Sequence, residues 1–124
     1  MSRITLENLQ QICQALPGVT IDIKWEEHLC FNIGAKMFLV TAPDRVPVSA
    51  SFKTTPEVFE VLTGREGVRP ASHVGRYHWV YVDSLDRLSK TEWEAHIRES
   101  FRLVASGLSG KWRKELGIDP PKLL

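Results

Sequence analysis

The sequence has little of what marks several large protein classes. Its 124 residues include only two cysteines, Cys13 and Cys30, and no CxxC pair, so no disulfide framework is expected and both thiols are predicted to be free. No window approaches 18 consecutive apolar residues, and the segment MSRITLENLQQ lacks the apolar run of a signal peptide. We therefore expect a cytoplasmic protein that does not span a membrane.

An excess of charge of either sign is also absent. Sixteen basic and fifteen acidic residues leave a formal net charge of +1, so no overall field attracts the chain to nucleic acid or to a membrane. Any binding to a polyanion would depend on a local basic patch. The glycines match neither GxxxxGK[ST] nor GxGxxG, and no GxSxG motif occurs, so the sequence carries no signal for a phosphate loop or a serine nucleophile.

What the chain does have is an average globular composition. Hydrophobic residues make up 43% of it and charged residues 25%. A chain of this length buries roughly two-thirds of its unfolded surface and needs no disulfide or metal to hold a core. No repeat, linker or low-complexity segment divides it, so residues 1–124 are expected to form one domain.

The first half of the chain predicts a helix and then strands. Thr5 is a suitable N-cap for a helix that Pro17-Gly18 ends. Residues 25–33 then alternate in polarity, Gly34-Ala35 suits a two-residue turn, and residues 36–42 return antiparallel. Residues 48–53 form a third strand. The helix has apolar residues at helical spacing, and Cys13 among them is interpreted as a core residue: Leu6, Leu9, Ile12, Cys13 and Leu16.

The second half alternates helices with strands. Thr55-Pro56 opens a short helix, and Ser89-Lys90-Thr91-Glu92 is a capping box for a longer one, which the short helical stretch KWRKEL follows. Residues 65–76 form a loop or a short irregular hairpin arm, and residues 77–83 form a strand. The order α-β-β-β-α-(β)-β-α predicts a two-layer α+β fold with an antiparallel sheet and helices on one face.

The predicted hairpin carries a row of polar side chains. Glu26, His28 and Cys30 point the same way. Adjacent members of this row are about 7 Å apart and can bind one metal ion together. All three span about 13 Å, which is too far for a single ion. No helix N-terminus lies beside Cys30 to activate its thiol. We interpret the row as a partly exposed sheet face with no metal site and no catalytic residue. In the predicted register, Phe38 pairs with Phe31 and Val40 pairs with Leu29. The residues of the second strand beside the polar row are then Met37, Leu39 and Thr41, which offer no carboxylate or imidazole ligand.

The other histidines and the tryptophans are interpreted as structural. His73 and His78 flank a predicted loop. Histidines in loops are more often exposed to solvent than bound to a metal ion. His96 lies at the edge of the buried stripe of the long helix. Three tryptophans fall on predicted apolar faces and are expected in the core: Trp25, Trp79 and Trp93.

Basic residues in the loops are the remaining candidates for a binding site. Arginines follow Gly64 with one acid among them, a lysine stands at the tip of the first hairpin, and a basic-aromatic cluster lies near Trp112. Cations on two hairpin tips can contact a phosphate backbone, and nearby aromatic rings can stack on bases. The predicted nucleic-acid-binding residues are Lys36, Arg65, Arg69, Arg76, Lys111 and Arg113.

Taken in order, several short motifs resemble the MmcQ/YjbR family of small bacterial proteins. They extend over nearly the whole chain, and Leu39 departs from the family pattern, in which a small residue is more usual. The matching positions are Pro17-Gly18, Trp25, Phe31, Gly34-Ala35-Lys36-Met37-Phe38, Phe52-Lys53, Pro56-Glu57, Pro70-Ala71, Trp79-Val80 and Ser100-Phe101.

The resemblance implies a compact α+β fold, likened to the bacterial frataxin-like (CyaY-like) and secretion-chaperone-like folds, with two projecting hairpins called a double wing. It implies DNA binding through those wings, which correspond here to Lys36 and to residues 69–78, and it carries no catalytic residues.

The leading hypothesis is therefore a monomeric or weakly dimeric protein without enzymatic activity or cofactor, which binds DNA weakly and with little sequence specificity. A protein-interaction or chaperone-like adaptor is the alternative, and it would use an apolar patch on the open sheet face around Cys30, Met37 and Leu39. A small-molecule or metal site on the same face is a third possibility.

Overall fold

The computed structural model describes residues 4–24, 27–72 and 74–117, and within them it forms a six-stranded antiparallel sheet with four α-helices. The strand order is β1-β2-β3-β4-β6-β5. No described helix is long and apolar enough to cross a membrane. The elements are α1 (Leu6–Gln14), β1 (Val19–Lys24), β2 (His28–Ile33), β3 (Lys36–Ala42), β4 (Ser49–Lys53), α2 (Pro56–Thr63), β5 (Val68–Pro70), β6 (Trp79–Val82), α3 (Lys90–Ser106) and α4 (Gly110–Glu115).

The predicted helix caps are confirmed. Thr5 forms a capping box with Asn8, and Ser89 forms one with Glu92, so in each case the two side chains satisfy backbone N–H groups at the helix start. The Thr55 hydroxyl accepts from the Val58 N–H, and a proline occupies the first turn of α2. These local signals fix the helix starts without help from the rest of the fold.

One strand, β1, is missing from the sequence prediction. Its apolar side chains Ile21 and Ile23 are 37% and 69% exposed, so β1 is held by ladder pairing with β2 more than by burial. It is also an edge strand of the sheet. The optional strand of the prediction corresponds to β5, and the predicted α+β fold is confirmed.

The hairpin turn is where the sequence places it, but the predicted register is wrong beyond the first two pairs. Ile33 pairs with Lys36 and Asn32 with Met37, and then a bulge moves the partner of Phe31 from Phe38 to Leu39. A bulge sets two residues of one strand against one of its neighbour, so the alternation of faces is interrupted there. Phe38 and Leu39 are consequently both buried in the core.

Ser100 of α3 completes the hydrogen bonding at this bulge. Its hydroxyl donates to the Phe38 carbonyl at 2.6 Å and accepts from the Lys53 N–H at 3.0 Å. The ladder between β3 and β4 begins only at the next pair, Leu39 with Phe52. The side chain of a helix thus occupies the position of a ladder hydrogen bond, and α3 is fixed against the start of β3.

The core lies between the helices and one face of the sheet. Phe38 meets Phe101 and Phe52 meets Trp93 edge to face, with ring centroids 5.3 and 5.6 Å apart. Trp93 also donates its indole N–H to the Leu85 carbonyl at 2.8 Å, which satisfies the one polar atom it buries. We call this side the helix-covered face and the opposite side the open face.

Candidate binding site on the open sheet face

One register row crosses the open face from β2 to β5. Cys30 pairs with Val40, Val40 with Ser51, Ser51 with Tyr81, and Tyr81 with Arg69. Neighbouring strands lie about 4.8 Å apart, so the four steps span about 19 Å. Side chains in one such row point to the same side of the sheet, which brings residues distant in sequence onto one surface.

The open face forms a cleft of about 800 Å³. Small side chains line its base and leave it unfilled: the buried Ala42 and Ser49, with the half-buried Ser51 beside them. Larger side chains, Met37, Trp79 and Tyr81, also line the cleft. The recess is therefore made by the size of the side chains that β3, β4 and β6 present.

The cleft is positively charged. Four cations line it, and in the described part of the chain no aspartate or glutamate does: Lys24, Lys36, Arg45 and Arg69. Two acids lie near its edges, and one of them, Asp22, pairs with the lining Lys24. Asp22 accepts from the Asn32 amide at 2.9 Å and lies 3.9 Å from the Lys24 ammonium, and Asp83 binds Arg87 at 2.9 Å. The rim can therefore attract an anion.

Arg69 is held at the rim by an aromatic ring. Its guanidinium lies over the ring of Tyr81, 4.5 Å from the ring centroid. This cation–π contact leaves the N–H donors of the guanidinium at its edge, where they can bind a phosphate.

Trp79 lies on the open face and not in the core. It is half-buried, pairs with Lys53 across the ladder, and lines the cleft. The prediction of a core position is therefore wrong for Trp79, although it is confirmed for Trp93, which is fully buried. Trp25 lies outside the described residues.

The predicted polar row is partly present and has different neighbours. His28 and Cys30 lie on β2, and their partners on β1 are Lys24 and Asp22, from a strand that the sequence did not predict. On the other side, Cys30 pairs with Val40 and not with Leu39, because the bulge shifts the register of β3. Within the described ranges no three His, Cys, Asp or Glu side chains lie close enough to hold a metal ion. Glu26 and His73 lie outside those ranges.

Both cysteines are free and buried. Burial raises the pKa of Cys13 to about 12 and also raises the pKa of Cys30, whose thiol lies 3.8 Å from the His28 carbonyl. A thiol with a raised pKa is a poor nucleophile at neutral pH. The two remaining predicted histidines are in packing positions: His78 meets Phe59 edge to face, and His96 stacks on Phe52.

Two of the six predicted basic residues, Lys36 and Arg69, line the cleft. The ammonium of Lys36 lies beside the end of α3, 3.5 Å from the position that a Cβ on Gly107 would take. Arg76 belongs to the segment between β5 and β6, other residues of which line the cleft, and its guanidinium lies 4.9 Å from the Tyr77 ring centroid.

Arg65 is placed elsewhere, in an ion pair between helices. Its guanidinium donates to Glu92 at 2.6 Å and to the Arg87 carbonyl at 2.9 Å. The same guanidinium holds the pKa of Glu92 below its usual range. Arg65 therefore links the end of α2 to the start of α3 and does not line the cleft.

The α4 residues lie beside the tip of the first hairpin. A Cβ on Gly34, whose φ is +63°, would come within 3.1 Å of the Trp112 indole, so both the turn and this contact favour glycine. Arg113 donates to the Leu108 carbonyl at 2.6 Å, just beyond the end of α3. Lys111 is exposed on α4. This arrangement braces the hairpin that carries Lys36.

Two cations of the cleft were missed by sequence reasoning. The alternation in VTIDIK is the signal that could have revealed Lys24, if it had been interpreted as a strand. In a strand paired with β2, Lys24 lies opposite His28 and faces the same side of the sheet. Arg45 follows β3 in a connecting loop, and no local pattern marks it.

Comparison with known proteins agrees with this architecture. A family model described as YjbR matches residues 14–103. A crystal structure of Deinococcus radiodurans protein DR2400, with a DUF419 domain, has 30% sequence identity and a TM-score of 0.82, over 91% of this chain and 88% of that one. A Pseudomonas syringae protein of 21% identity shares the fold, with a TM-score of 0.66 over 81% of this chain and 98% of that one. No match was found among curated proteins.

Proposed function

The chain belongs to the YjbR family, and we propose that it is a DNA-binding protein of low sequence specificity that uses the open face of its sheet. The observation that carries this proposal is the charge of the cleft, where Lys24, Lys36, Arg45 and Arg69 are lining residues and no described aspartate or glutamate is. Cations that neutralise phosphates release counterions, and this supplies most of the free energy of non-specific binding.

Each of the two hairpins carries one of these cations. Lys36 starts β3 after the first turn, and Arg69 lies in the middle of β5, which pairs with β6 to form the second hairpin. Arg76 adds a third cation on the segment that connects β5 to β6. In the proposal these hairpins are the two wings, and they contact phosphates.

Low sequence specificity follows from the shape of the surface. Reading base edges in the major groove requires a helix or a two-stranded ribbon that enters it. The open face is recessed, and its charged groups stand at the rim. Contacts to phosphates position a protein on DNA and carry no sequence information. No catalytic step is part of this proposal.

A titration of fluorescently labelled DNA at 50 and 200 mM salt tests the proposal. With about four phosphate contacts, the affinity should fall about 100-fold between these salt concentrations. The double variant Lys36→Ala/Arg69→Ala should reduce the affinity at 50 mM salt about 100-fold and flatten the salt dependence, since two of the four contacts are lost.

The control variant removes the same charge from the other side of the molecule. Lys90→Ala/Arg98→Ala changes two exposed cations on α3 and should bind like the wild type. If DNA does not bind at low salt, or if the control variant loses as much affinity as the cleft variant, the proposal is wrong.

Protein interaction is a second candidate, but not through the patch that the sequence suggests. Leu39 faces the core and Cys30 is fully buried, so of the three expected residues only Met37 is partly exposed on the open face. The observation that favours a protein partner is instead β1, an edge strand with the exposed Ile21 and Ile23. Recovery of a defined partner that Ile21→Glu/Ile23→Glu abolishes, and Lys36→Ala/Arg69→Ala does not, would support this function.

A further inference from the structure

We propose that the cleft takes unpaired nucleotides, so that the protein binds single-stranded DNA in preference to duplex. This inference rests on the proposed DNA binding and goes beyond it by assigning the form of DNA and the side chain that receives a base. Three features of the cleft support it: its recessed shape, the position of Trp79, and the distribution of cations around the rim.

The shape of the cleft favours unpaired bases. Its volume of about 800 Å³ lies within the range of pockets that enclose small molecules. In a duplex the bases are stacked and paired inside the helix, and a recessed surface can meet only the phosphates. An unpaired base has a free face and free edges and can enter the recess, whose base is lined by small side chains such as Ala42 and Ser49.

Trp79 supplies a ring on which such a base can stack. It is half-buried and lines the cleft. Tyr81, which also lines the cleft, already carries the guanidinium of Arg69. Among the described residues no ring or guanidinium stacks on the indole of Trp79. Base–aromatic stacking tolerates any base, which agrees with low sequence specificity.

The cations are arranged to hold a strand that crosses the cleft. Lys24 and Lys36 belong to strands β1 and β3, Arg45 follows β3, and Arg69 belongs to β5 at the other edge of the sheet. A backbone that runs over the rim therefore meets cations on both sides while its bases turn inward. A cationic groove combined with an aromatic platform is the general design of proteins that bind single strands.

The experiment compares one labelled 12-nucleotide strand with the duplex of the same sequence at 50 mM salt. Wild-type protein should bind the single strand at least tenfold more tightly. Trp79→Ala should weaken single-strand binding about tenfold and change duplex binding by less than about twofold, because only the unpaired base stacks. Trp79→Phe, which keeps a ring, should restore most of the loss.

A second variant tests the recess without touching Trp79. Ser51→Leu puts a larger side chain into the cleft and should remove the preference for single strands while the rim cations remain. Thr20→Leu is its matched control, since Thr20 is an exposed residue of β1 that does not line the cleft. Thermal unfolding of each variant confirms that it is folded before binding is compared.

The outcomes separate this inference from the proposed function. Absence of binding to both forms of DNA overturns the proposed function and this inference together. Equal affinity for strand and duplex, or unchanged single-strand binding by Trp79→Ala and Ser51→Leu, overturns only this inference. Complete competition by a free mononucleotide at the same nucleotide concentration also overturns it, because the ligand is then a small molecule and not a strand.

Discussion

The two faces of the sheet are built from different side chains, although the same strands make both. The helix-covered face presents large apolar groups such as Phe38, Phe52 and Val80, all fully buried under α3 and its neighbours. The open face presents Ser51, Val40 and Tyr81 in one row, with cations at the rim.

The difference separates the face that stabilises the fold from the face that we propose binds DNA. Large apolar side chains on the helix-covered face remove area from water and stabilise the fold. Small side chains on the open face leave a recess, and the cations around it have no described carboxylate among the lining residues. We therefore expect substitutions on the two faces to affect different properties.

The largest expected contrast comes from the same substitution on each face. Trp93→Ala removes a fully buried indole and its hydrogen bond to Leu85, and should lower the free energy of unfolding by about 4 kcal/mol. Trp79→Ala removes a half-buried ring and should cost about 1 kcal/mol. Urea unfolding measures both. Equal losses of unfolding free energy would contradict this contrast, because Trp79 would then stabilise the fold as much as the core residue Trp93.

A smaller contrast concerns two serines. Ser100→Ala leaves the Phe38 carbonyl and the Lys53 N–H without their hydroxyl partner at the bulge, and should cost about 2 kcal/mol. Ser51→Ala on the open face should change the free energy of unfolding by less than about 0.5 kcal/mol. If urea unfolding finds Ser100→Ala equally mild, the hydroxyl does not replace a ladder hydrogen bond.

Two arginines sharpen the comparison for binding. Arg69→Ala should weaken DNA binding about tenfold at 50 mM salt, since one phosphate contact is lost. Arg65→Ala should leave the affinity within about twofold of wild type, because Arg65 is paired with Glu92 outside the cleft. Fluorescence anisotropy with the same labelled DNA measures both variants. If Arg65→Ala weakened DNA binding more than Arg69→Ala, the binding surface would lie on the helix-covered face and not in the cleft.

The smallest expected effect is a pH dependence from the helix-covered face. Burial lowers the pKa of His96, whose ring stacks on Phe52, below its ordinary value of 6.5. The unfolded chain therefore binds more protons as the pH falls, so the stabilisation from neutral His96 is present above pH 6.5 and is lost as the pH drops through the folded pKa.

Urea unfolding at pH 7.5 and 5.5 measures this effect. His96→Gln should lose less stability than wild type between the two values, because glutamine does not titrate. Carboxylates such as Glu92 and Glu99, with lowered pKa values, titrate at lower pH in both proteins and drop out of the difference. If wild type and His96→Gln showed the same pH dependence of stability, His96 would not be the source of this effect.

Local chemistry explains which elements sequence reasoning could predict. Helix N-caps, a Pro at a helix start and the Gly34-Ala35 turn each act within a few residues, and all were predicted correctly. The register failed at Phe38 because the bulge is stabilised by Ser100, which is 62 residues away along the chain. Trp79 was placed in the core for a similar reason, since alternation gives two faces and does not say which one the helices cover.

The sequence by itself determined the α+β class, the helix starts, the first hairpin turn and the family resemblance, because these depend on short-range patterns and on motif order. Only the tertiary structure decided which basic residues lie around the same cleft. It places Lys24, Lys36, Arg45 and Arg69 around one cleft and ties Arg65 to Glu92, because pairing between strands brings together residues that the chain separates. The cleft itself depends on the packing of helices against one face alone, which leaves the other face open.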